Sequence, residues 1–137
     1  MDTFKIPIGT EHGLTFLNRL PEDRAQPVEH FRVRIEDANL VAEADVYAEY
    51  ASEHPARLFE EMARQWSGWA GELTFESLER ELQLRCVHDK LGHITIHVVL
   101  RSGCYPEDWR VEASVKTEAG QLERLARDAR AFFGVEG

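Results

Sequence analysis

The chain has 137 residues, 43% of them hydrophobic, and carries 16 Lys and Arg against 25 Asp and Glu, a formal net charge of −9. This length is typical of one domain, which buries about two thirds of the surface of the unfolded chain, so we predict a single domain over residues 1–137. The negative charge repels phosphate backbones and anionic lipid headgroups, which argues against nucleic acid and membrane surfaces as partners.

The first part of the chain predicts two β-hairpins. Residues 3–8 and 13–18 alternate weakly between apolar and polar positions around GTEHG, as in a modest hairpin. Residues 29–36 alternate cleanly, and residues 40–50 repeat the pattern. A two- or four-residue turn between them keeps both apolar sets on one face, whereas a three-residue turn would invert one strand.

The pattern then changes to a helical period. In SEHPARLFEEMARQWSGW the apolar residues recur every three or four positions, Ser52 can cap the helix, and Pro55 fits its first turn. We predict an amphipathic helix that ends near Gly68. Trp66 shares its apolar stripe and is expected in the core, while Trp69 comes just after the helix.

From Glu81 the strand period returns in three segments, and the chain closes with a second amphipathic helix in TEAGQLERLARDARAFFG. The link DKLGH suits a three-residue hairpin loop whose last residue, Gly92, takes the left-handed conformation of a bulge. The positions expected to point inward in the three strands are Leu82, Leu84, Cys86, Ile94, Ile96, Val98, Leu100, Trp109, Val111, Ala113 and Val115.

These elements predict an α+β fold. Four strands, a helix, three strands and a helix, with one polar sheet face, indicate a single antiparallel sheet of about six to seven strands with both helices packed on one face. No linker, repeat or low-complexity segment divides the sequence.

The segment HDKLGHITIH, residues 88–97, contains three of the six histidines. On a helix, His93 and His97 would make a good metal pair. The intervening β-branched residues predict a strand instead, on which the two side chains stand about 13 Å apart. Zinc takes nitrogen ligands at about 2 Å, so one ion cannot bind both. If Asp89 pairs with His93, His97 lies opposite Arg85, and no carboxylate directly across orients it as a base. We expect no metal and no cofactor here.

Nucleophiles are scarce. Cys86 is buried by its strand parity, and Cys104 lies in the loop RSGCYPEDW near Arg101, where an incidental cysteine and a reactive thiol are both open interpretations. Nucleophile-elbow, phosphate-loop and dinucleotide patterns are missing from the sequence. Neither a signal-peptide pattern nor a run of 18 apolar residues occurs, so we expect a cytoplasmic protein with free thiols and lean against an enzyme.

The negative charge is concentrated in one segment, since residues 36–81 hold twelve Asp and Glu against three Arg. Some of these acids have partners in prospect, because Arg32 and Arg34 can face Glu43 and Asp45 across a hairpin. Others have no obvious cation at helix or strand spacing: Asp37, Glu49, Glu53, Glu72, Glu76, Glu79 and Glu81. Ordinary solubility and a docking surface for a basic protein both explain them.

The ordered segments WSGWAGEL, ESLERELQL, HDKLGHITIHVVL, DWRVEASV, EAGQLERLA and a closing FF resemble a bacterial domain family of unknown function. Its pattern runs W-x-G near a helix end, S-L-E opening a strand, D-x-x-G-H at a hairpin, a Trp opening the next strand, then G-Q-L-E and F-F, over about residues 29–133. The resemblance implies no activity and no catalytic residues. It implies a glycine where this chain has Arg80 and Glu81 after S-L-E.

The first functional hypothesis is a small acidic module that docks a basic protein, as an immunity protein neutralises a toxin encoded beside it. Its binding residues would be Glu49, Glu53, Glu72 and Glu76.

A second hypothesis is a small-ligand binder or enzyme with a pocket between the Trp69 region and loop 102–108. It rests on the aromatic and polar residues Trp69, Cys104, Tyr105 and Asp108, all placed in loops. A third is a homodimer through the outer sheet face, which Tyr47 and Val41 among others make less polar than a fully wet face.

Overall fold

The computed structural model of the protein describes residues 3–48 and 55–134. Within these two ranges the chain forms eight β-strands and two α-helices. Their bounds are β1 Thr3–Ile8, β2 His12–Leu20, β3 His30–Asp37, β4 Leu40–Tyr47, α1 Ala56–Arg64, β5 Glu72–Glu76, β6 Leu82–His88, β7 His93–Arg101, β8 Arg110–Glu118 and α2 Leu122–Phe133, with a short 3₁₀ turn, Ala119–Gln121, leading into α2. Four strands followed by one helix therefore occur twice.

The α+β class is confirmed, but the single sheet is wrong. The strands form two antiparallel sheets, ordered β1-β2-β3-β4 and β5-β6-β7-β8. Strand β5 was not predicted because it is only five residues long, and its two apolar side chains, Leu73 and Phe75, are half-buried. Alternation identifies strands but carries no information on which strands pair, so it could not separate the two sheets.

The helices join the two sheets instead of covering one face of a single sheet. They pack on each other, and each contacts the first strand of the other half: α1 contacts β5, and α2 contacts β1. Buried side chains from both sheets and both helices form one continuous hydrophobic cluster. None of the helices in the described part of the chain is long and apolar enough to cross a membrane.

The two central hairpins have the predicted register. Asp37 pairs with Leu40 across a two-residue turn, in which Asn39 takes a φ of 60°. At the second hairpin, Asp89 N–H donates to His93 O at 3.0 Å, and Gly92 has a φ of 96°. Both turns therefore use left-handed residues, as tight hairpins with a right-handed strand twist require.

Two tryptophans expected in the core are exposed, which corrects the sequence analysis. Helix α1 ends at Arg64, before the predicted Gly68, because Gln65 leaves the helical conformation at φ −106° and ψ 37°. Trp66 then no longer follows the apolar stripe and is 63% exposed. Trp109 precedes the first residue of β8 and is 41% exposed. The proposed cap Ser52 lies outside the described residues.

The end of α2 is held by a buried arginine. The Arg19 guanidinium donates to the carbonyl oxygens of Phe133 at 2.8 Å and Gln26 at 2.6 Å, and also to those of Pro21 and Asp23. Burial, together with the neighbouring Arg24, lowers the pKa of Arg19. These bonds attach the loop after β2 to the last turn of α2, although their residues are more than a hundred positions apart in sequence.

Candidate functional site

The hairpin between β6 and β7 orients one histidine with a carboxylate. Asp89 Oδ1 accepts the N–H groups of Leu91 at 2.7 Å and His93 at 3.0 Å, and Asp89 Oδ2 lies 2.7 Å from His93 Nδ1. These bonds, first of all the one from the His93 N–H, lower the pKa of Asp89 to about 2. The carboxylate therefore stays ionised and fixes the imidazole with Nε2 turned away from it.

His97 lies opposite Arg85, as predicted, and its Nδ1 is 3.2 Å from the Ser114 hydroxyl. Both histidines are on the outward face of their sheet. Among the described residues, no cluster of three or more His, Cys, Asp or Glu is arranged to hold a metal ion.

The third histidine of this segment, His88, is buried and organises the WSGW turn. Its Nδ1 accepts the Lys90 N–H at 2.7 Å, which assigns the proton to Nε2, 2.8 Å from the carbonyl oxygen of Trp66. Its ring meets the edge of buried Trp69, with centroids 5.0 Å apart, and Trp69 Nε1–H donates to the Cys86 carbonyl at 2.9 Å. The W-x-G and D-x-x-G-H segments thus form one structural unit. In this unit Trp66 is exposed and Trp69 is buried.

The residues of the predicted pocket are not brought together. Trp69 packs at the end of β6 next to the hairpin, whereas Cys104, Tyr105 and Asp108 lie in the loop after the far end of β7. The strand between them separates the two groups by roughly 20 Å or more. Asp108 accepts the Tyr105 N–H at 2.9 Å, so its carboxylate shapes its own loop.

The two cysteines occupy the environments expected from their sequence positions. Cys86 is a buried free thiol whose pKa is raised to about 12 by burial, with Glu72 adding to the effect. A thiol with that pKa is not a nucleophile at neutral pH. Cys104 is free and exposed.

Two of the four acids predicted to dock a partner lie on β5, at the edge of the second sheet. Glu72 is 3.1 Å from Arg85, while Glu76 accepts from the Gln83 side chain and lies 3.5 Å from Arg80. Both acids therefore have internal partners that offset part of their charge. The other two, Glu49 and Glu53, lie outside the described residues.

A buried carboxylate joins the two sheets where β4 ends and β6 begins. Glu81 Oε1 accepts the Ser77 hydroxyl at 2.8 Å, and Glu81 Oε2 accepts the Tyr47 N–H at 3.2 Å. Ser77 Oγ accepts the Leu82 N–H at 3.0 Å. Arg80, where the family pattern implies a glycine, takes a φ of 63°, the left-handed conformation that glycine adopts most easily.

This junction places an exposed apolar row at one end of the first sheet. Leu20 pairs with His30, and His30 pairs with Tyr47. The His30 and Tyr47 rings lie edge to face, with centroids 6.2 Å apart. Through Glu81 the Ser77 turn, with Leu78, adjoins Tyr47. We call Leu20, His30, Tyr47 and Leu78 the apolar row. Leu20 and Tyr47 are 50% exposed and Leu78 is 49% exposed.

An exposed carboxylate lies one or two positions in sequence from every member of the apolar row: Glu22, Glu29, Asp45 and Glu79. Sequence reasoning singled out Tyr47 but missed the other three row residues, because the row depends on cross-strand register and on the buried Glu81. The available signal was the position of Glu81 directly before a strand with an apolar buried face and four residues after Ser77, since a polar group buried there needs a hydrogen-bond partner.

Comparisons with known proteins give one match. The model of a protein family described as a family of unknown function (DUF6228) matches residues 6–136. No curated protein and no solved structure matches the chain.

Proposed function

The chain belongs to this family of unknown function, and we propose that it is a non-enzymatic protein-binding module that docks a basic partner. The observation that carries the proposal is the apolar row with its adjoining carboxylates. Leu20, Tyr47 and Leu78 are about half exposed; strand register places Leu20, His30 and Tyr47 side by side, and the Glu81 contact brings the turn with Leu78 next to them, whereas single exposed apolar side chains are normal on any protein.

The composition of the apolar row suits a protein interface. Interface centres are rich in aromatic residues, Tyr among them, and are surrounded by a polar rim. Here the rim carries Glu22, Glu29, Asp45 and Glu79. Asp45 forms an ion pair with Arg32, with 2.8 Å between the carboxylate oxygen and the guanidinium nitrogen. Glu79 has no cation within ion-pair distance among the described residues. A rim of this sign favours approach by a basic surface and disfavours an acidic one.

An immunity-type role fits the same features. A small cytoplasmic protein with a net charge of −9 and two free thiols is suited to neutralise a basic protein made in the same cell. Glu49, Glu53, Glu72 and Glu76 stay within the proposal as contributors to the acidic field of the protein. The apolar row supplies the apolar contact.

The proposal is tested by comparing matched surface variants in a low-salt affinity capture from the native cell. Tyr47→Ser with Leu78→Ser removes the apolar centre, and Glu79→Lys with Glu76→Lys reverses the charge of one rim residue and of one of the acids on β5. The controls, Tyr105→Ser and Glu107→Lys, change exposed residues of the 102–108 loop. We expect both double variants to lose a basic partner that the controls retain, and added salt to weaken the wild-type complex.

Capture of the same partner by all variants would refute the docking surface. Self-association that disappears with Tyr47→Ser, measured by light scattering, would favour instead the homodimer through the outer sheet face.

A second candidate function is small-ligand binding beside His93. A surface groove of about 640 Å³, within the range of ligand sites, is lined by Asp89, His93, Thr95, Lys116 and Glu118 among others. His93 is oriented there by Asp89, while His97 on the same face is oriented only by Ser114 and is the natural internal control. In a fragment screen by NMR, chemical-shift changes concentrated at His93 would support ligand binding in this groove. Equal changes at His93 and His97 would refute it.

A further inference from the structure

Strand β8 forms one edge of the second sheet. Within the described residues it pairs with β7 alone, over nine residues and in one unbroken register. Strand β1 contacts β8 but pairs only with β2 in the part of the chain that the structure describes. A long, regular edge of this kind presents a row of backbone groups to which another strand can bond.

The hydrogen bonds at the two ends of β8 show which of its residues face that edge. Trp109 O accepts the Ser102 N–H at 3.2 Å, and the Ala119 N–H donates to Gly92 O at 2.9 Å, so the odd-numbered residues bond toward β7. The residues of an antiparallel ladder alternate in this respect. The backbone N–H and C=O groups that point to the outer edge therefore belong to Arg110, Glu112, Ser114, Lys116 and Glu118.

These five residues also carry exposed side chains, whose charges run positive, negative, neutral, positive and negative along the strand. Arg110 lies 3.5 Å from Glu112, and an exposed pair of this kind contributes little. Lys116 and Glu118 have no ion-pair partner among the described residues. When the strand is reversed, every sign in the series is inverted, so the series is complementary to itself.

Two β8 strands placed antiparallel about Ser114 bring opposite charges together at every charged position. Arg110 of one copy then lies opposite Glu118 of the other. Glu112 lies opposite Lys116, and Ser114 lies opposite its own counterpart. Residues whose backbone groups point to the edge face one another in this arrangement, as an antiparallel ladder requires, and opposite charges across a ladder are stabilising.

Other arrangements of the same two strands bring like charges together. A shift of two residues in one direction places Arg110 opposite Lys116, and the opposite shift places Glu112 opposite Glu118. A shift of four residues places either Glu112 or Lys116 opposite its own counterpart. A parallel pairing in register does so at every position, and a shift of one residue turns the charged side chains toward the inner face. The charges of β8 therefore specify a single arrangement.

The other three edge strands lack this property. Strand β1 contains Pro7, which has no N–H to donate to a new ladder. The charged residues of β4 are Glu43 and Asp45, and those of β5 are Glu72 and Glu76, so either strand would repel a second copy of itself. Self-complementary charge is thus specific to β8.

The same arrangement gives a role to the exposed tryptophan at the start of β8. Trp109 and Ala119 extend the ladder by one residue at either end, so Trp109 lies opposite Ala119 of the second copy. The pair belongs to the non-hydrogen-bonded kind, in which side chains approach most closely. The Trp109 ring is 41% exposed in the single chain, and the small Ala119 side chain leaves room for it.

We propose that the protein forms a homodimer through antiparallel pairing of two β8 strands about Ser114, which joins the second sheets of the two copies into one continuous sheet. The charge series and the alternation of the backbone groups carry this inference. The interface is separate from the apolar row, which lies on the first sheet and the Ser77 turn, so it adds a function to the proposed one.

Sedimentation equilibrium from micromolar to millimolar protein measures the dimer. Lys116→Glu and Glu112→Lys each place like charges opposite, at two symmetry-related points, and should raise the dissociation constant by about tenfold or more. The double variant that exchanges the two charges restores opposite signs and should recover most of the affinity. The controls Arg57→Glu and Glu11→Lys reverse exposed charges elsewhere and should leave the dissociation constant unchanged.

Disulfide formation tests the register, in a Cys104→Ser background that removes the exposed native thiol. Ser114→Cys places two thiols at opposed positions with Cα atoms about 5.5 Å apart, which suits a disulfide, so mild oxidation should cross-link the dimer. Thr95→Cys, on β7 and the same face of the sheet, lies about three strand spacings, or about 14 Å, from its counterpart and should not cross-link.

Four results would each overturn the inference: a monomer at millimolar concentration, a dimer unaffected by Lys116→Glu, a double variant that fails to associate, and equal cross-linking from positions 95 and 114. A dimer lost in Tyr47→Ser would assign self-association to the apolar row instead. Cross-linking of Ser114→Cys to a different protein in the native cell would replace the second copy with a strand of that protein. Loss of the basic partner by a Tyr47→Ser protein that still dimerises keeps the two proposals distinguishable.

Discussion

The two halves of the molecule have the same order of elements but fill their cores differently. In the first sheet the core is aromatic: Phe16 lies 5.3 Å from Phe4, 6.0 Å from Phe31 and 5.9 Å from Phe133, ring centre to ring centre. The buried strand residues of the second sheet are aliphatic apart from Cys86 and His88, and comprise Leu82, Leu84, Ile94, Ile96, Val98, Val99, Leu100 and Val115. The ring that completes the aromatic cluster, Phe133, comes from the helix of the second half.

This difference teaches that the halves are interlocked and not two independent repeats. Helix α2 inserts Phe133 against the first sheet, and Arg19 of the first sheet bonds the Phe133 carbonyl. Helix α1 in turn contacts β5. We therefore expect one cooperative unfolding transition that involves both sheets.

The largest effect on stability is expected from a substitution in the aromatic cluster of the first sheet. Phe16→Ala should lower the free energy of unfolding by about 3–5 kcal/mol, since it removes a ring that contacts three others and leaves a cavity. Ile96→Val, at a buried site of the second sheet, should cost only about 1 kcal/mol. Urea unfolding measures both.

The same experiment tests the interlock. Trp emission and far-UV circular dichroism should give coincident curves in both variants, because no half unfolds alone. Two separate transitions in Phe16→Ala, with the second sheet surviving the first, would contradict it.

Loss of the link between the halves should come next. Arg19→Met leaves the carbonyl oxygens of Phe133 and Gln26 without their donor, and buried unpaired groups cost about 1–3 kcal/mol each, so we expect a loss of about 3 kcal/mol. Arg57→Met, which alters an exposed arginine on α1, should change the midpoint of unfolding little. Equal effects of the two substitutions would remove Arg19 from the account.

A smaller effect is expected at the junction of the sheets. Glu81→Ala takes the acceptor from the Tyr47 N–H and the Ser77 hydroxyl, which should cost about 1–3 kcal/mol. Glu79→Ala, two residues away and exposed, should stay within about 0.5 kcal/mol of the wild type. The Tyr47 amide signal should shift strongly in ¹⁵N spectra of Glu81→Ala. An unchanged Tyr47 signal would mean that the Glu81 junction does not position the apolar row.

The smallest effect concerns pH and the second-half hairpin. Because the pKa of Asp89 is lowered to about 2 in the folded protein, its stabilising contribution is present above the ordinary Asp pKa of about 4 and is lost as pH falls from there toward 2. Asp89→Asn should thus lower the free energy of unfolding at pH 7. The difference in this free energy between the variant and the wild type should become smaller near pH 2.

His93→Ala is the matched control for that measurement. The bond from the His93 backbone N–H is the main cause of the lowered pKa and survives this substitution, so most of the acid dependence should remain. If the difference in free energy of unfolding between wild type and Asp89→Asn is the same at pH 7 and pH 2, the stabilising role assigned to the Asp89 carboxylate is wrong.

How much the sequence could predict follows from the kind of information each feature needs. The hairpin from Phe31 to Val46 and the pairing of Arg32 and Arg34 with Glu43 and Asp45 are local and were predicted correctly. The turn was predicted to have two or four residues, and it has two. The α+β class and the buried faces of the long strands were also predicted. Strand β5 was missed because it has five residues, of which only Leu73 and Phe75 are half-buried, and so short an alternation is hard to detect.

Features that depend on long-range pairing could not be predicted. The division into two sheets, the burial of Glu81 against Ser77 and the meeting of His88 with Trp69 each join residues whose spacing in sequence says nothing about contact. Trp66 was placed in the core because its spacing continued the α1 stripe, and the end of the helix at Arg64 reversed its environment. The same reversal produced an exposed aromatic residue that a periodic pattern alone cannot indicate.

Site-specific photo-crosslinking in the native cell tests the docking claim most directly. A photoreactive phenylalanine analogue replaces Tyr47 in one sample and Tyr105 in another, two exposed tyrosines at different places in the fold. The proposed function predicts a covalent adduct with a single basic protein from position 47, diminished by salt, and none from position 105. An acidic adduct at position 47, or the same adducts from both positions, would contradict it.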